Sequence, residues 1–390
     1  MTTDTPSPFL REEHLEIRRM VREFALAEIA PLAATLDEEK RFPHETIPKL
    51  AGLGLLGVPI PVEYGGAGLD YVAYSIVIEE ISRVCGATGI TVAAHTSLGM
   101  GPIFNFGTEV QRRRWVPKLA SGEMLAAFAL TEPGAGSDAR ATRVTAVEDG
   151  DEYVINGQKV FCTNGSHAGV IVFTARTGGE VGDPKHINAY VVEKGTPGLV
   201  YGTLEDKLGI RGSDTRELFF EDCRIPKANR LGEPGQGFVQ FMKTLEGGRI
   251  SIGAMALGLG QGALDHALPY AQEREQFGKR LIQMEPVAFK LANMATELQA
   301  ARNLVYEAAW RKDQGLPFAR HASYAKLFAS EAAMRAAHDA VQILGGLGYS
   351  REAPVERIMR DAKLCEIGEG TSEIQRLVIA RFLDREGLEV

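Results

Sequence analysis

The chain has 390 residues, 45% of them apolar and 24% charged, enough to bury a large core in two or three domains. Its 43 basic against 51 acidic residues give a formal charge of −8, which argues against nucleic acid or an anionic membrane as the main partner. Cys85, Cys162, Cys223 and Cys365 are isolated, with no CxxC and no histidine cluster, so reduced thiols in a cytoplasmic protein are expected and no metal is.

The opening MTTDTPSPFL has neither a basic patch followed by an apolar run nor an Arg-rich amphipathic pattern; no secretory or transit segment is expected there. From about residue 10 to 120 the pattern is helical, with Ile17, Met20, Val21 and Phe24 at helical spacing among charges. YVAYSIVIEEISRVCGA continues it, with glycine as a stop signal. GLGLLG, at Gly52 to Gly57, matches the spacing of a dinucleotide-binding turn. That turn works only between a strand and a helix. Here a helical segment precedes it and the extended VPIPVEYGG follows, so the match is rejected.

From about 122 to 232 the texture is strands and turns. TRVTAVEDGDEYVINGQKVFCTNG alternates β-branched and aromatic residues with polar ones, and its Asp-Gly and Asn-Gly pairs read as hairpin breakers. INAYVVEKGTPGL and RELFFEDCRIP add strands, so a small domain of short antiparallel elements is expected. Helix returns from about 236. ISIGAMALGLGQGALDHAL is too short in its apolar part to span a bilayer and reads as a buried, closely packed helix. Val287, Leu291, Met294, Leu298, Ala301 and Val305 form the seam of a bundle helix, and FARHASYAKLFASEAAMRAAHDAVQILGG is another long helix closed by glycines. The expected architecture is α+β: an N-terminal helical domain over 1–121, a middle antiparallel β domain over 122–233 and a C-terminal four-helix-bundle domain over 234–390.

Five segments bear on chemistry. FALTEPGAGSD, Phe128 to Asp138, runs from a strand into a Gly/Ser loop that can be a ligand cradle or a plain turn. VFCTNG puts Phe161 and Thr163 two residues apart, hence on one face of a strand. EREQFGKRL offers Arg274, Gln276 and Phe277 at a helix end marked by Gly278; a guanidinium clamps phosphate and a phenyl ring stacks on a base, although a solvated helix terminus looks the same. QILGGLGYSRE, with Gln342, Gly345 and Gly346, reads first as a C-cap and turn. In EIGEGTSEIQRLVIAR, Ser372 and Gln375 have capping-box spacing, placing Glu369 in a loop just before a helix. Glycines on both sides leave that backbone free to take strained angles.

Together, in this order, these segments resemble the acyl-CoA dehydrogenase family over nearly the whole chain; LTEPGAGSD, REQFGKRL with FKLANMATE, and RDAKLCEIGEGTSEIQRLVIAR are its signatures. The resemblance implies FAD between the β domain and the C-terminal bundle. Phe128, Leu130, Thr131, Gly136 and Ser137 would line the isoalloxazine ring, with Phe161, where the family usually has Trp, packed on it and Thr163 near N5. Arg274, Gln276, Phe277, Gln342, Gly345 and Gly346 would reach a neighbouring subunit's FAD, implying a homo-oligomer, typically a tetramer. Thr371 and Glu373 would touch FAD, and Glu285 stands where the family has Gln, a costly exchange if the carboxylate is buried unpaired.

By the same resemblance Glu369 is the general base, its pKa raised by burial, taking the α-proton of an acyl-CoA as hydride passes to flavin N5 and a trans-2-enoyl-CoA forms. Ser137, Glu246, Arg249, Gly368 and Gly370 would contact substrate. Some members carry the base directly before the arginine matched by Arg249; here that position is Gly248. Gly368, where straight-chain members commonly have Tyr, implies room for a branched or bulky acyl group. The implied electron acceptor is an electron-transfer flavoprotein. Two alternatives share the fold: an oxidase or monooxygenase-like flavoenzyme, and a non-catalytic acyl-CoA-binding protein, which is disfavoured because the base is present.

Overall fold

In the computed structural model, which describes residues 7–387, a mixed sheet sits between an N-terminal set of helices and a C-terminal set. Residues 1–6 of the MTTDTPSPFL stretch lie outside the described residues. The centre of the molecule is a single helix, Gly237–Glu273, 37 residues long and here called the spine helix. It contains the apolar stretch singled out in the sequence, and Ile250 to Gly260 are all buried. Its glycines explain how closely it packs. A Cβ at Gly258 would overlap the carbonyl of Glu79, and one at Gly262 the carbonyl of Arg83, both at the end of helix Tyr71–Ser82. On the other side Gly253 and Gly260 face helix Ala319–Leu344. No helix among the described residues is long and apolar enough to cross a membrane.

One buried ionic network joins the N-terminal and C-terminal helices. Glu79 accepts from Arg302 Nε at 3.2 Å and Nη2 at 3.0 Å and from the Tyr306 hydroxyl, which itself accepts from Arg18 Nη2 at 2.5 Å. Arg22 meets the adjacent Glu80 with bonds of 3.0 and 2.8 Å. The inward face of helix Glu12–Phe24 is therefore His14, Arg18 and Val21, while Met20, expected inside, is exposed. The partners of Arg18 and Arg22 lie more than fifty residues away in the chain.

The sheet runs β6-β7-β3-β2-β4-β5-β8, with β1 (Leu125–Ala129) paired to β4. The other strands are β2 (Thr145–Asp149), β3 (Glu152–Thr163), β4 (Ala168–Arg176), β5 (Ile187–Glu193), β6 (Leu199–Leu204), β7 (Thr215–Pro226) and β8 (Arg230–Leu231). It is not wholly antiparallel as expected, because β1 and β2 both pair with β4 in parallel. One face closes over Tyr153, Ile155, Phe173 and Tyr190; the other packs on Trp115, Ile103 and Phe241 of flanking helices. His95 fastens β1 to the helical side as a neutral ring: Nδ1 accepts from Ala126 N at 2.9 Å and Nε2 donates to Leu119 O at 3.1 Å. Burial holds its pKa down to about 4.

Two turn readings change. Asn156-Gly157 does not break a hairpin; Gly157 (φ 133) is a bulge inside a continuous β3, where a Cβ would strike Val144. Gly278 does not end a helix. The spine helix stops at Glu273, and β9 (Glu275–Gln276) and β10 (Lys279–Arg280) form a two-residue hairpin. Its tip residues, Phe277 (φ 52) and Gly278 (φ 69), have the paired positive φ values of a tight I′-type turn. GLGLLG closes a short helix, Ile47–Gly52, and runs into turns.

Glu79→Ala removes the acceptor shared by Arg302 and Tyr306 and leaves two buried arginines short of charge. It is expected to cost about 3–5 kcal/mol in denaturant unfolding. Glu148→Ala, which breaks the exposed pair with Lys227, is expected to cost under about 1 kcal/mol.

Candidate active site

The loop between helices Val355–Cys365 and Ser372–Glu386 holds the predicted base. Thr371, rather than Ser372, caps the last helix, its Oγ1 accepting from Ile374 N at 3.3 Å. Thr371 is still outside the helix (φ −59, ψ 165) while Ser372 is its first residue, so the expected Ser372–Gln375 box does not form. Gln375 is buried and turns back instead, donating to Glu369 O at 3.3 Å and Gly370 O at 2.9 Å. Of the three residues expected to bear strain, Gly368 does not. Glu369 itself has φ 54 and Gly370 φ 96. A left-handed non-glycine residue costs roughly 1–2 kcal/mol, and such residues cluster where function over-determines the backbone.

The Glu369 backbone is partly open, but both carboxylate oxygens are buried and have no hydrogen-bond donor among the described residues. Loss of hydration pushes the pKa up to about 7, against the pull of Lys326 and then Arg249. Arg249 is buried too, its Nε unpartnered, and burial lowers its pKa despite Glu246 and Glu369 nearby. The residue before it matters through what it lacks. A Cβ at Gly248 would overlap Glu369 Oε2 and lie 2.9 Å from Leu98 Cδ2. Gly248 is thus the space into which the carboxylate fits. Glu246, one helical turn before Arg249, borders a 370 Å³ cleft lined also by Phe318, Arg320 and Phe382.

On the sheet side, β1 leads into the Thr131–Ser137 loop. Glu132 pins it from behind: it is buried, accepts from Arg143 N at 2.6 Å, and pairs at 2.7 Å with Lys159 Nζ. That Nζ also donates to Leu130 O (3.0 Å) and Thr174 Oγ1 (3.1 Å), and burial brings its pKa down to about 8. In front, Gly134, Gly136 and Ser137 are exposed, and nothing lies within 4 Å of a Cβ at Gly136. Val160 N donates to Thr131 O at 2.9 Å, which brings Phe161 beside the loop. Phe161 does not follow strand alternation with Thr163. A bulge between Lys159 and Cys162 gives it φ 57, and it stands 62% exposed. A rigidly backed loop with an open glycine face and an exposed ring beside it fits a flat aromatic cofactor.

The remaining predicted residues fall elsewhere. Gly248 and Glu273, the last residue of the spine helix, are separated by roughly 38 Å along its axis, so Arg274, Gln276 and the 95%-exposed Phe277 are remote from the chain's own base. Gln342, Gly345 and Gly346 form an exposed helix end, Gly345 with φ 61. Glu285 is exposed, not buried as feared, and stands in the first turn of helix Glu285–Asp313 where a carboxylate is favourable. Thr371 and Glu373 line a second 370 Å³ cleft with Ile367 and Lys363. Glu132, Lys159, Lys326 and Gln375 were missed in the sequence. Lys159 was findable: it shares its parity in β3 with the buried Tyr153 and Ile155, an inward-facing lysine in need of a partner.

Gly248→Ala is expected to leave the spine helix formed but force Glu369 out of its niche, cutting turnover by at least about 100-fold; wild-type turnover with Glu369 unmoved in the variant's crystal structure would contradict this reading. The raised Glu369 pKa also sets a stability slope. The native state holds this proton up to about pH 7 and the unfolded chain only to about 4.5, so stability falls as pH rises between those values. Glu369→Gln removes that slope. It is expected to match the wild type at pH 4 and to exceed it by up to about 3 kcal/mol at pH 8, read by denaturant unfolding.

Three family profiles cover the chain in order: the acyl-CoA dehydrogenase N-terminal domain over residues 11–123, middle domain over 127–223 and C-terminal domain over 235–383. It is 50% identical to the human mitochondrial short-chain specific acyl-CoA dehydrogenase, covering 96% of this chain and 91% of that one. It is 49% identical to the short-chain specific acyl-CoA dehydrogenase of Clostridium acetobutylicum, covering 95% and 97%. Butyryl-CoA dehydrogenase from Megasphaera elsdenii superposes with a TM-score of 0.94 at 42% identity, covering 96% and 99%. A chain from a structure described as the electron transferring flavoprotein of Acidaminococcus fermentans gives 0.95 at 44%, covering 99% and 100%. An acyl-CoA dehydrogenase from Bacillus anthracis solved with FAD gives 0.91 at 35%, covering 97% and 68%. With all three domain profiles matched in order and relatives near 50% identity over almost the whole chain, the chain belongs to the acyl-CoA dehydrogenase family, whose members are FAD flavoproteins.

Proposed function

We propose that this protein removes the α-proton of a short-chain acyl-CoA with Glu369 in an FAD-dependent α,β-dehydrogenation, forming the trans-2-enoyl-CoA. The observation that carries the reading is the Glu369 carboxylate, buried without a hydrogen-bond donor and with its pKa raised to about 7. A carboxylate near pKa 4.5 is too weak a base for a thioester α-proton; one near 7 is matched to the working pH. The Glu369 N–H donates to no backbone acceptor among the described residues and is available to hold the thioester oxygen, where charge develops as the proton leaves. Arg249 and Lys326 place positive charge near the Glu369 carboxylate. Glu246, Ser137 and Gly370 border the path of the CoA arm. The residues from Phe128 to Ser137, with Phe161 and Thr163, would hold FAD, which when bound would supply the hydride acceptor for the β-hydrogen.

Short chain length is supported by the relatives' names. Gly368 adds room for a branch, because the nearest atoms to a Cβ there, all of Leu364, lie at ordinary contact distances of 3.5 to 3.7 Å. A homotetramer with shared cofactor sites fits the exposed Phe277 and the separation of Arg274 from the base. Release of electrons to an electron-transfer flavoprotein fits the Acidaminococcus relative. A cytoplasmic setting fits four free, buried cysteines.

Glu369→Gln is expected to keep its yellow FAD and lose at least about 10³-fold in kcat with butyryl-CoA; retained turnover would remove Glu369 from its role. In the wild type kcat should fall about tenfold per pH unit below about pH 7, as the base protonates. Gly368→Tyr should lower turnover of isovaleryl-CoA more than that of butyryl-CoA, and equal losses would show that position 368 does not face the branch.

A further inference from the structure

Lys326 does more than place charge near the base: it is fully buried in helix Ala319–Leu344 and reaches the base loop. Its Nζ donates to Gly370 O at 2.7 Å. The same carbonyl accepts from Gln375 Nε2 at 2.9 Å, so its two lone pairs are both used, one by helix Ala319–Leu344 and one by helix Ser372–Glu386. Gln375 also reaches Glu369 O. The two peptide oxygens on either side of the left-handed turn are thereby fixed by two buried side chains. One turn further along, Ser330 Oγ donates to Cys365 O at 2.8 Å. That bond already ties the preceding helix to this one, and Arg360 ties it bidentately to Asp37 at 2.9 and 2.6 Å. Packing of helix Val355–Cys365 therefore does not need Lys326.

We propose that Lys326 is a positioning residue for the base: it clamps the Gly370 carbonyl so that Glu369 stays in its left-handed conformation, and sets a positive charge beside the carboxylate. The proposal rests on Glu369 being the base. A buried lysine is an expensive way to hold a carbonyl. Burial lowers its pKa to about 8, and a neutral amide such as Gln375 makes the same bond. The charge is what a lysine adds. Lys326 is faced by Cys365, Glu369 and Glu366 from the loop side and by Arg249 from the spine helix. Glu369 is faced by Lys326 and Arg249, with Tyr74 and Cys365 nearby. Of the two cations only Lys326 also touches the base loop's backbone.

The experiment compares FAD-loaded wild type, Lys326→Met, Lys326→Gln, Lys326→Arg and Glu369→Gln. Lys326→Met is expected to lower kcat at least tenfold with KM for butyryl-CoA changed less than threefold. The Glu369 titration midpoint, read by isotope-edited infrared of its carboxyl band, should rise by about one pH unit. Amide exchange over Gly370–Ile374 should quicken at least tenfold. Lys326→Gln, which keeps a donor but no charge, should restore slow exchange and not the midpoint; Lys326→Arg should restore the midpoint. For the midpoint, Lys326→Gln stands in for Lys326→Met should that variant fail to load FAD. An unmoved midpoint in Lys326→Gln overturns the proposal, as does wild-type exchange with wild-type kcat in Lys326→Met. If Glu369→Gln turns over like the wild type, the base assignment itself fails; if it is inactive while Lys326→Gln titrates as the wild type, only the role of Lys326 does.

Discussion

The close approach of backbones around the spine helix governs the rest of the molecule. Gly258 and Gly262 let it lie against the carbonyls of Glu79 and Arg83, and Gly253 and Gly260 leave room for Val305 and Leu298 and for the backbone at Ala325 and Ala333. Helix packing at this distance leaves no room for side chains, so contact is made by many small surfaces at high density. It also leaves buried polar backbone and charge with no water to turn to. The Glu79–Arg302–Tyr306–Arg18 network answers that need across three helices. Removal of one member leaves the others unpaired in a dry setting, which is why such networks are costly to break even where they add little to stability when complete.

The same helix supplies the vacancy at its N-terminal end that the chemistry uses. Gly248 admits the Glu369 carboxylate as Gly258 admits Glu79 O, but with an opposite outcome. At Gly258 the neighbour is a carbonyl already bonded in its own helix. At Gly248 it is a carboxylate stripped of water and given no donor, so the cost of burial appears as a raised pKa. Arg249 and Lys326 oppose that rise without bonding the oxygens. Burial, opposed by charge from two helices, leaves the carboxylate poised about half-protonated at about pH 7.

Structure on the flavin side follows the same logic of a rigid back and an open front. Glu132 and Lys159 satisfy each other and three backbone groups behind the Thr131–Ser137 loop, so the glycines in front are free to present bare peptide to a ligand. The bulge at Phe161 turns a ring outward that strand alternation would have set in register with Thr163. A bulge beside a ligand site re-aims a side chain.

The sequence alone carried the helix–sheet–helix order, the seam from Val287 to Val305, the buried spine and the candidate base, because those rest on period and composition over tens of residues or on motifs within ten. It could not show that β1 and β2 pair in parallel with β4, that Arg18 turns inward to Tyr306, or that Phe277 tips a hairpin. Each depends on a partner far away in the chain or on a local φ that several residue types tolerate. The base loop divides along the same line. That Glu369 sits between glycines before a helix is local, and so was legible; Thr371 in place of Ser372 as cap turned on one residue's ψ. That the carboxylate is dry, charged from Arg249 and Lys326, and fitted under Gly248 is decided only where three distant segments meet, since desolvation is a property of what surrounds a group and not of its neighbours in sequence.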